Sequence, residues 1–401
     1  MEQQREKTQY LSRGLLILGI IFIAANLRPA ITSVGPVIGA IRHDLSLSNA
    51  AAGFITTLPL LFFALVSPLA PKLGNRIGQE LTIFLGLLVL MVGISIRSTE
   101  SPVLLFAGTA CIGTGIAIGN VLLPSLIKQR LPDKLGLMTS IYTTVMGGFA
   151  ALASGLSVPL ANGLHLGWRL GLLVWAAVCL LAALLWIPQL RVHGHNPFSN
   201  LPDTPGKSVW ASALAWQVTL FLGLQSFLFY STVAWLPEII VSHHISLPTA
   251  GWMLSIMQFI SLPSTFMMPI WAERMKNQIA LVIITAVFYL VGLAGLFAGG
   301  NHFLMWTYIL LIGLAQGASI SLALAFIGLR SKTAAEAANL SGMSQSAGYL
   351  VAAAGPFLIG DLYDHTHNWN LPIFMMIAVG VLMLIIGIGA GRNRYVSGKQ
   401  Q

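Results

Sequence analysis

Residues 13–41 read RGLLILGIIFIAANLRPAITSVGPVIGAI, an apolar run with a single charge inside it, Arg28. A helix needs roughly 20 apolar residues to cross the hydrocarbon core of a bilayer, and this run is long enough. Arg28 stands 15 residues from Arg13 and 14 from Arg42. On a helix it is roughly 20 Å from either flanking charge, near the bilayer midplane. That is too deep for the side chain to snorkel to an interface. Placing an arginine there costs about 2.5–3.5 kcal/mol on insertion scales. Such a residue is either a functional cation facing a wet cavity, the reading adopted here, or a structural charge held by neighbouring polar groups. The basic flank and apolar run also resemble a signal peptide, but the run exceeds the length of a cleaved apolar region and reads as a retained first helix.

Outward from this stretch, the rest of the 401-residue chain has the same character. It is 56% hydrophobic and 8% charged, against about 25% charged residues in an ordinary soluble domain. Most of its surface therefore faces something other than water, which excludes the common soluble classes. The net charge of +9 is spread singly and in pairs, without the basic patch that nucleic acid requires. Cys111 and Cys179 lie in apolar runs and read as buried thiols without a disulfide.

Twelve runs have spanning length: 13–41, 50–71, 80–97, 103–127, 137–161, 168–188, 209–237, 248–271, 279–299, 303–329, 335–360 and 370–391. Between the sixth and seventh lies a polar stretch, 191–208, with Pro197, Pro202, Pro205 and Gly206, which reads as a cytoplasmic linker. The expected organisation is a bundle at 1–190, the linker at 191–208, and a second bundle at 209–401. With the N-terminus inside, 17 lysines and arginines fall in cytoplasmic segments and only Arg42, Arg97 and Arg169 in outer loops. The positive-inside rule then places both termini in the cytoplasm.

The two halves repeat at an offset of about 200 residues. Leu45-Ser46-Leu47 with Ala52-Gly53 matches Ile245-Ser246-Leu247 with Ala250-Gly251. Residues 71–76 (PKLGNR) match 269–274 (PIWAER), Ile112-Gly113 matches Ile312-Gly313, Gly155 matches Gly355, and Trp168 matches Trp369. Six spans per half make this a parallel repeat about the membrane normal.

Two such halves joined by a polar loop resemble the major facilitator superfamily over the whole chain. That family marks the loop between spans two and three with Gly-x-Leu-Ala-Asp-Arg-x-Gly-Arg-Arg. Here the first copy keeps Arg76 and Gly78 but has Asn75 for the acid. The second keeps an acid–base pair, Glu273-Arg274, without the glycine. The resemblance makes Arg76, Glu273 and Arg274 the candidate gating residues. A closer resemblance lies in Asn26-Leu27-Arg28-Pro29 through Pro36, and in Gly113 through Asn120 with Leu123-Pro124 and Ile127-Lys128. These are similar to the cyanate-permease-like branch, which includes nitroimidazole transporters. The implied fold is all-α and polytopic, with twelve transmembrane helices in two pseudo-symmetric six-helix bundles.

The twelve acidic residues all map to tails, loops or span ends, so no carboxylate is expected at the depth of Arg28. A planar guanidinium suits a small anion or a polarised nitro or carboxylate group, held by paired donors. Pro29 frees carbonyls one turn earlier and permits a bend. Asn26 belongs to the same element, and Thr32 lies one turn along the Arg28 face. In the family, spans one, four, seven and ten line the cavity with two, five, eight and eleven beside them. That implies Asn120, Tyr142, Gln225, Tyr230, Gln316, Gln345 and Tyr349 as further contacts. For each of these an interhelical hydrogen bond is the competing role. Small-residue pairs at Gly115/Gly119 and Ala151/Gly155 predict close helix packing, and Trp235 and Trp252 read as interfacial belt residues.

None of the nine histidines falls inside a span, and no Walker loop, nucleophile elbow or metal-ligand spacing appears. The sequence therefore predicts a non-enzymatic secondary transporter of the cell membrane, without cofactor or metal, working as a monomer on a small solute. The solute read from Arg28 is anionic or polarised, cyanate-like. The alternatives are an exporter of small toxic heterocycles, nitroimidazole-like, and an anion channel with Arg28 as its filter.

Overall fold

The computed structural model describes residues 14–47, 49–164, 166–190 and 209–397. The linker expected at 191–208, with His193 and His195 in it, lies outside them, as do Arg13 and His165.

Backbone polar groups have no water partners in hydrocarbon, so a spanning segment must satisfy them internally as a helix. The elements run α1 (14–24), α2 (Pro29–Thr32), α3 (Ile38–Asp44), α4 (Asn49–Val66), α5 (Leu69–Ile77), α6 (Gln79–Arg97), α7 (Pro102–Arg130) and α8 (Leu135–Val158). They continue with α9 (Gly167–Leu190), α10 (Ala213–Ser242), α11 (Leu247–Arg274), α12 (Ile279–Ala298), α13 (His302–Leu329), α14 (Ala334–Thr366) and α15 (Asn370–Ala390). Among the described residues ten helices are long and apolar enough to cross a membrane. The expected second span is a bent pair, Phe54–Val66 and Leu69–Ile77, which meet at 56°. Ser67 and Pro68 separate them, and Pro68 caps α5. The expected eleventh span is α14, whose 33 residues are ample in length. Ser341, Ser344, Gln345 and Ser346 take it below the apolar standard of the others.

The contacts divide the chain into two compact units, Met1–Leu123 with Val145–Thr204, and Pro124–Thr144 with Pro205–Gln401. In the first, the later part of span one packs Val34, Val37 and Ile41 with Ile55, Leu105, Trp168 and Leu172. Helices α6 and α7 touch at glycines. A Cβ at Gly93 would lie 2.8 Å from Gly108 O, and one at Gly115 would lie 2.9 Å from Leu90 N. Gly78, at φ 95°, turns the chain from α5 into α6, a left-handed conformation that favours a residue without Cβ. On the same unit's surface Arg169 pairs with Asp44 at 2.6 Å and with Glu100, and the Trp168 indole donates to Asp44 at 2.9 Å.

In the second unit α10 packs along α14 through small residues. A Cβ on Gly223 would approach Gly348 Cα to 3.1 Å, and one on Gly355 would approach Phe227 O to 2.9 Å. Hydrogen bonds reinforce the contact, Thr219 Oγ1 to Ser344 Oγ at 3.1 Å and Trp235 Nε1 to Pro356 O at 2.8 Å. Trp235 is half-buried and packs between helices, 5.8 Å from the Trp369 ring. Trp252 is exposed. The glycine expectation divides likewise. Gly115 and Gly119 are tight, whereas Gly155 has nothing within 4 Å of its Cβ position.

Both cysteines are free thiols, Cys179 buried and Cys111 half-buried. Two arginines that the sequence places in loops are buried in their units. Arg97 is 1% and Arg330 2% exposed. Arg330 donates to Ala390 O at 2.8 Å and Gly391 O at 3.2 Å, closing the C-terminal carbonyls of α15, where a cation is favoured. Burial lowers its guanidinium to about 10, so it stays charged at neutral pH.

Candidate functional site

The first span is not one helix. Pro29 and Pro36 each lack the N–H that would close a turn. At 25–28 the backbone tightens, with Asn26 N bonded to Ile23 O at 2.9 Å and Leu27 N to Ala24 O at 3.2 Å. Arg28 then leaves helical geometry at φ −127°, ψ −37° and caps α2, with Pro29 in its first turn. A short 3₁₀ turn, Gly35–Val37, follows before α3. The bend expected at Pro29 is an interruption of the α-helical pattern within one span, Gly14–Val37, and Arg28 sits in it, half-buried.

Neighbouring elements hold this break from several directions. The Asn26 amide donates to Phe22 O at 2.7 Å and to Val178 O on α9 at 3.3 Å. Thr32 Oγ1 donates to Ala150 O on α8 at 3.0 Å and to Arg28 O at 3.3 Å. Ser157 Oγ donates to Ser33 O at 2.8 Å. Leu27 lies against α7 where a Cβ on Gly119 would meet its Cδ2 at 2.7 Å. Arg97 reaches over from α6 and donates to Ala30 O. Asn26 and Thr32 thus tie the break to its neighbours. Asn120, on α7 of the same unit, is half-buried.

The second unit gathers other candidates. Gln345 and Tyr349 stand one turn apart on α14, 1% and 4% exposed. Tyr142 is 3% exposed and lies within electrostatic range of Tyr349. The Tyr142 hydroxyl and Gln345 Oε1 are buried without a hydrogen-bond partner among the described residues, which is rare for native polar groups and calls for a water or ligand. Gln225 and Gln316 are more settled. Gln225 Nε2 donates to Ser226 Oγ at 2.6 Å, and Gln316 Nε2 to Tyr289 Oη at 3.1 Å. Tyr230 stands edge-on to Phe229, with ring centroids 5.2 Å apart.

The candidate gating residues Arg76, Glu273 and Arg274 are exposed at the ends of α5 and α11. Glu273 covers Gly136, where an added Cβ would lie 2.8 Å from Glu273 Cβ and from Pro269 O. Within the same unit, Ser125 Oγ donates to Ala334 O at 2.7 Å and Lys128 Nζ to Gly328 O at 3.0 Å. Glu336 adds its charge to the surroundings of Lys128. The sequence reading did not anticipate these two contacts. The available signal was the repeat, because Lys128 and Gly328 stand 200 residues apart. Among the described residues no group of three or more His, Cys, Asp or Glu forms a metal-binding cluster.

Ten apolar helices of spanning length among the described residues define a polytopic membrane protein. The model of the Major Facilitator Superfamily matches residues 16–356 and 218–398, and the chain belongs to that family. It is 59% identical to the uncharacterized transporter YycB of Bacillus subtilis (strain 168), over 95% of this chain and 94% of that protein. It is 44% identical to the 2-nitroimidazole transporter of Escherichia coli (strain K12), over 96% and 97%. Identity to the cyanate transport protein CynX of the same organism is 25%, over 92% and 96%. Among solved structures the proton:xylose symporter XylE superposes with a TM-score of 0.76 at 13% identity, covering 96% of this chain and 98% of that one. The chain is a multi-pass membrane transporter of small solutes and not an enzyme.

Proposed function

We propose that this transporter moves a small anionic or strongly polarised solute across the cell membrane by alternating access, with Arg28 as the cation that binds it. The carrying observation is the position of Arg28, half-buried at the cap of α2 in a break within an apolar span. Irregular backbone at membrane depth persists where it is buried in protein or lines a water-filled cavity. A guanidinium there offers paired donors to a carboxylate, nitro or cyanate-like group. Asn26, Thr32 and Asn120 belong to the same unit as this cation, and Tyr142, Gln345 and Tyr349 are the further polar groups assigned to substrate contact. Gln225, Tyr230 and Gln316 line the path beside them.

Two six-helix bundles at 1–190 and 209–401, joined by 191–208 with both termini cytoplasmic, complete this reading, and the transporter acts as a monomer. Gating is assigned to Arg76 in the first unit and to Glu273 and Arg274, with Ser125 and Lys128, in the second. The 25% identical cyanate transport protein supports a small anion. A second reading, export of small nitro-heterocycles, is favoured by the 44% identical 2-nitroimidazole transporter. The same cation serves both, because a nitro group presents two electron-rich oxygens in one plane.

The test is binding of cyanate and of 2-nitroimidazole to the purified protein, followed by flux in proteoliposomes. Arg28→Ala abolishes binding of whichever ligand the native protein takes, and Arg28→Lys restores it only in part. Unchanged affinity in Arg28→Ala refutes the site. Full recovery by lysine refutes paired recognition and leaves a point charge.

A further inference from the structure

Arg97 is the feature that the transport reading does not absorb. It ends α6 and is 1% exposed. Its Nη1 donates to Ala30 O, two residues beyond Arg28, while its Nε and Nη2 have no hydrogen-bond partner among the described residues. Glu100, three residues further along the chain, pairs with Arg169, as does Asp44. Burying a cation without an acid is costly, and a neutral side chain of similar size would pack there more cheaply.

The acceptor explains the cation. In an unbroken helix Ala30 O would receive Val34 N, but Val34 N bonds instead to Ile31 O at 3.3 Å as the chain turns toward Pro36. The break thus strips Ala30 O of its helical donor, and Arg97 replaces it. A glycine contact seats the end of α6 against α7. A Cβ on Gly108 would stand 2.6 Å from Arg97 N and 2.8 Å from its Cα, so α7 admits the end of α6 at backbone distance.

We infer that Arg97 is a positioning residue for the substrate site. By holding Ala30 O it fixes the later part of span one, and through it the setting of Arg28. The inference rests on the assignment of Arg28 as the binding cation. A charge-assisted bond to one carbonyl anchors the segment, while the unpaired donors leave it free to let go when span one moves.

The test is amide hydrogen exchange on the full chain in lipid nanodiscs, with 2-nitroimidazole and cyanate binding measured on the same preparations. Arg97→Met should speed exchange across residues 25–44 about tenfold and leave residues 213–242 unchanged. Arg97→Lys, which keeps one charged donor, should stay within about threefold of native. Gly108→Ala, which displaces the end of α6 without touching the guanidinium, should reproduce the local loosening. Affinity in Arg97→Met should fall about tenfold, with smaller loss in Arg97→Lys. Should exchange over 25–44 be unchanged in both Arg97→Met and Gly108→Ala, the inference is overturned whatever Arg28→Ala does. Loosened exchange with native affinity, in a protein where Arg28→Ala does abolish binding, also overturns it. If Arg28→Ala binds normally, the binding assignment fails instead, and the exchange result alone decides whether Arg97 anchors span one.

Discussion

Residues 14–44 form a chain of short helical pieces, whereas the matching span of the second half, α10, is one helix of 30 residues. Both are apolar and both carry a polar group near the middle, Arg28 in the first and Gln225 in the second. The difference begins with proline. Pro29 and Pro36 interrupt the first span inside the membrane, while Pro237 falls near the end of α10. A mid-span proline leaves carbonyls without donors, and cations are then drawn to that backbone. Around Gln225 α10 runs on as one helix, and the amide is met by Ser226 on the same helix. The repeat therefore supplies one span that can change shape and one that serves as a frame.

The comparison can be broken in several ways. The largest effect is expected from the paired substitutions Arg28→Ala and Gln225→Ala, read by ligand binding. Loss of a charge-assisted pair, roughly 3 kcal/mol, corresponds to about two orders of magnitude in affinity, and loss of a neutral hydrogen bond, about 1 kcal/mol, to about fivefold. Equal losses would place binding on both spans alike.

Next comes the frame. Gly348→Leu would drive a side chain into α10, where Gly223 N and Thr219 O lie 3.3 Å from the Cβ position. Overpacking of this kind costs about 1–3 kcal/mol and should lower the unfolding midpoint of the purified protein. Gly155→Leu, placed where the Cβ position has no neighbour, should stay within about 0.5 kcal/mol of native. If both shift the midpoint equally, close packing of α10 on α14 is not what holds the frame.

A smaller effect is expected from Pro29→Ala, which returns an N–H to the break. Flux in proteoliposomes should fall about tenfold, because carrier turnover is limited by conformational steps, with affinity within about threefold. Pro237→Ala should change neither by more than about twofold. A healed break with full flux would separate the break from transport.

The smallest concerns pH at the outer edge of the first unit. The Trp168 indole, and then the Arg169 guanidinium, hold the Asp44 carboxyl below its ordinary 3.8, against the desolvation that raises it. A lowered folded value means that the link is intact above the unfolded value, about 3.9, and is lost as pH falls through the folded one. The difference in fluorescence between native and Trp168→Phe protein should be flat from about pH 8 to 5 and change below about 4. A change near neutral pH would point to another group.

How much of this was legible depends on what each residue must satisfy. Residues 335–360 read as a span because length suffices, and α14 forms there although Ser341, Ser344 and Gln345 make it polar. Arg28 stood out because a charge in an apolar run is conspicuous in one dimension. Tyr142, Gln345 and Tyr349 were legible as polar residues in spans, and the two on α14 as neighbours on one face. The burial of the Tyr142 hydroxyl and Gln345 Oε1 without hydrogen-bond partners among the described residues, and the approach of Tyr142 to Tyr349, were not, since these come from how separate helices pack. The burial of Arg97 and Arg330 at the ends of α6 and α13 was not legible for a related reason. A cation at the end of an apolar run looks like a loop residue until the fold shows which carbonyls it can reach.

The sequence by itself determined the class of this protein, its repeat and the presence of a midspan cation. Those follow from composition, period and the insolubility of unpaired polar groups in hydrocarbon. Only the tertiary structure decided that span one breaks at Arg28, that Arg97 is turned inward to hold Ala30 O, and which midspan polar groups remain unsatisfied. Each of these depends on distances between residues far apart in the chain, which glycine contacts and interhelical hydrogen bonds set and no local pattern records.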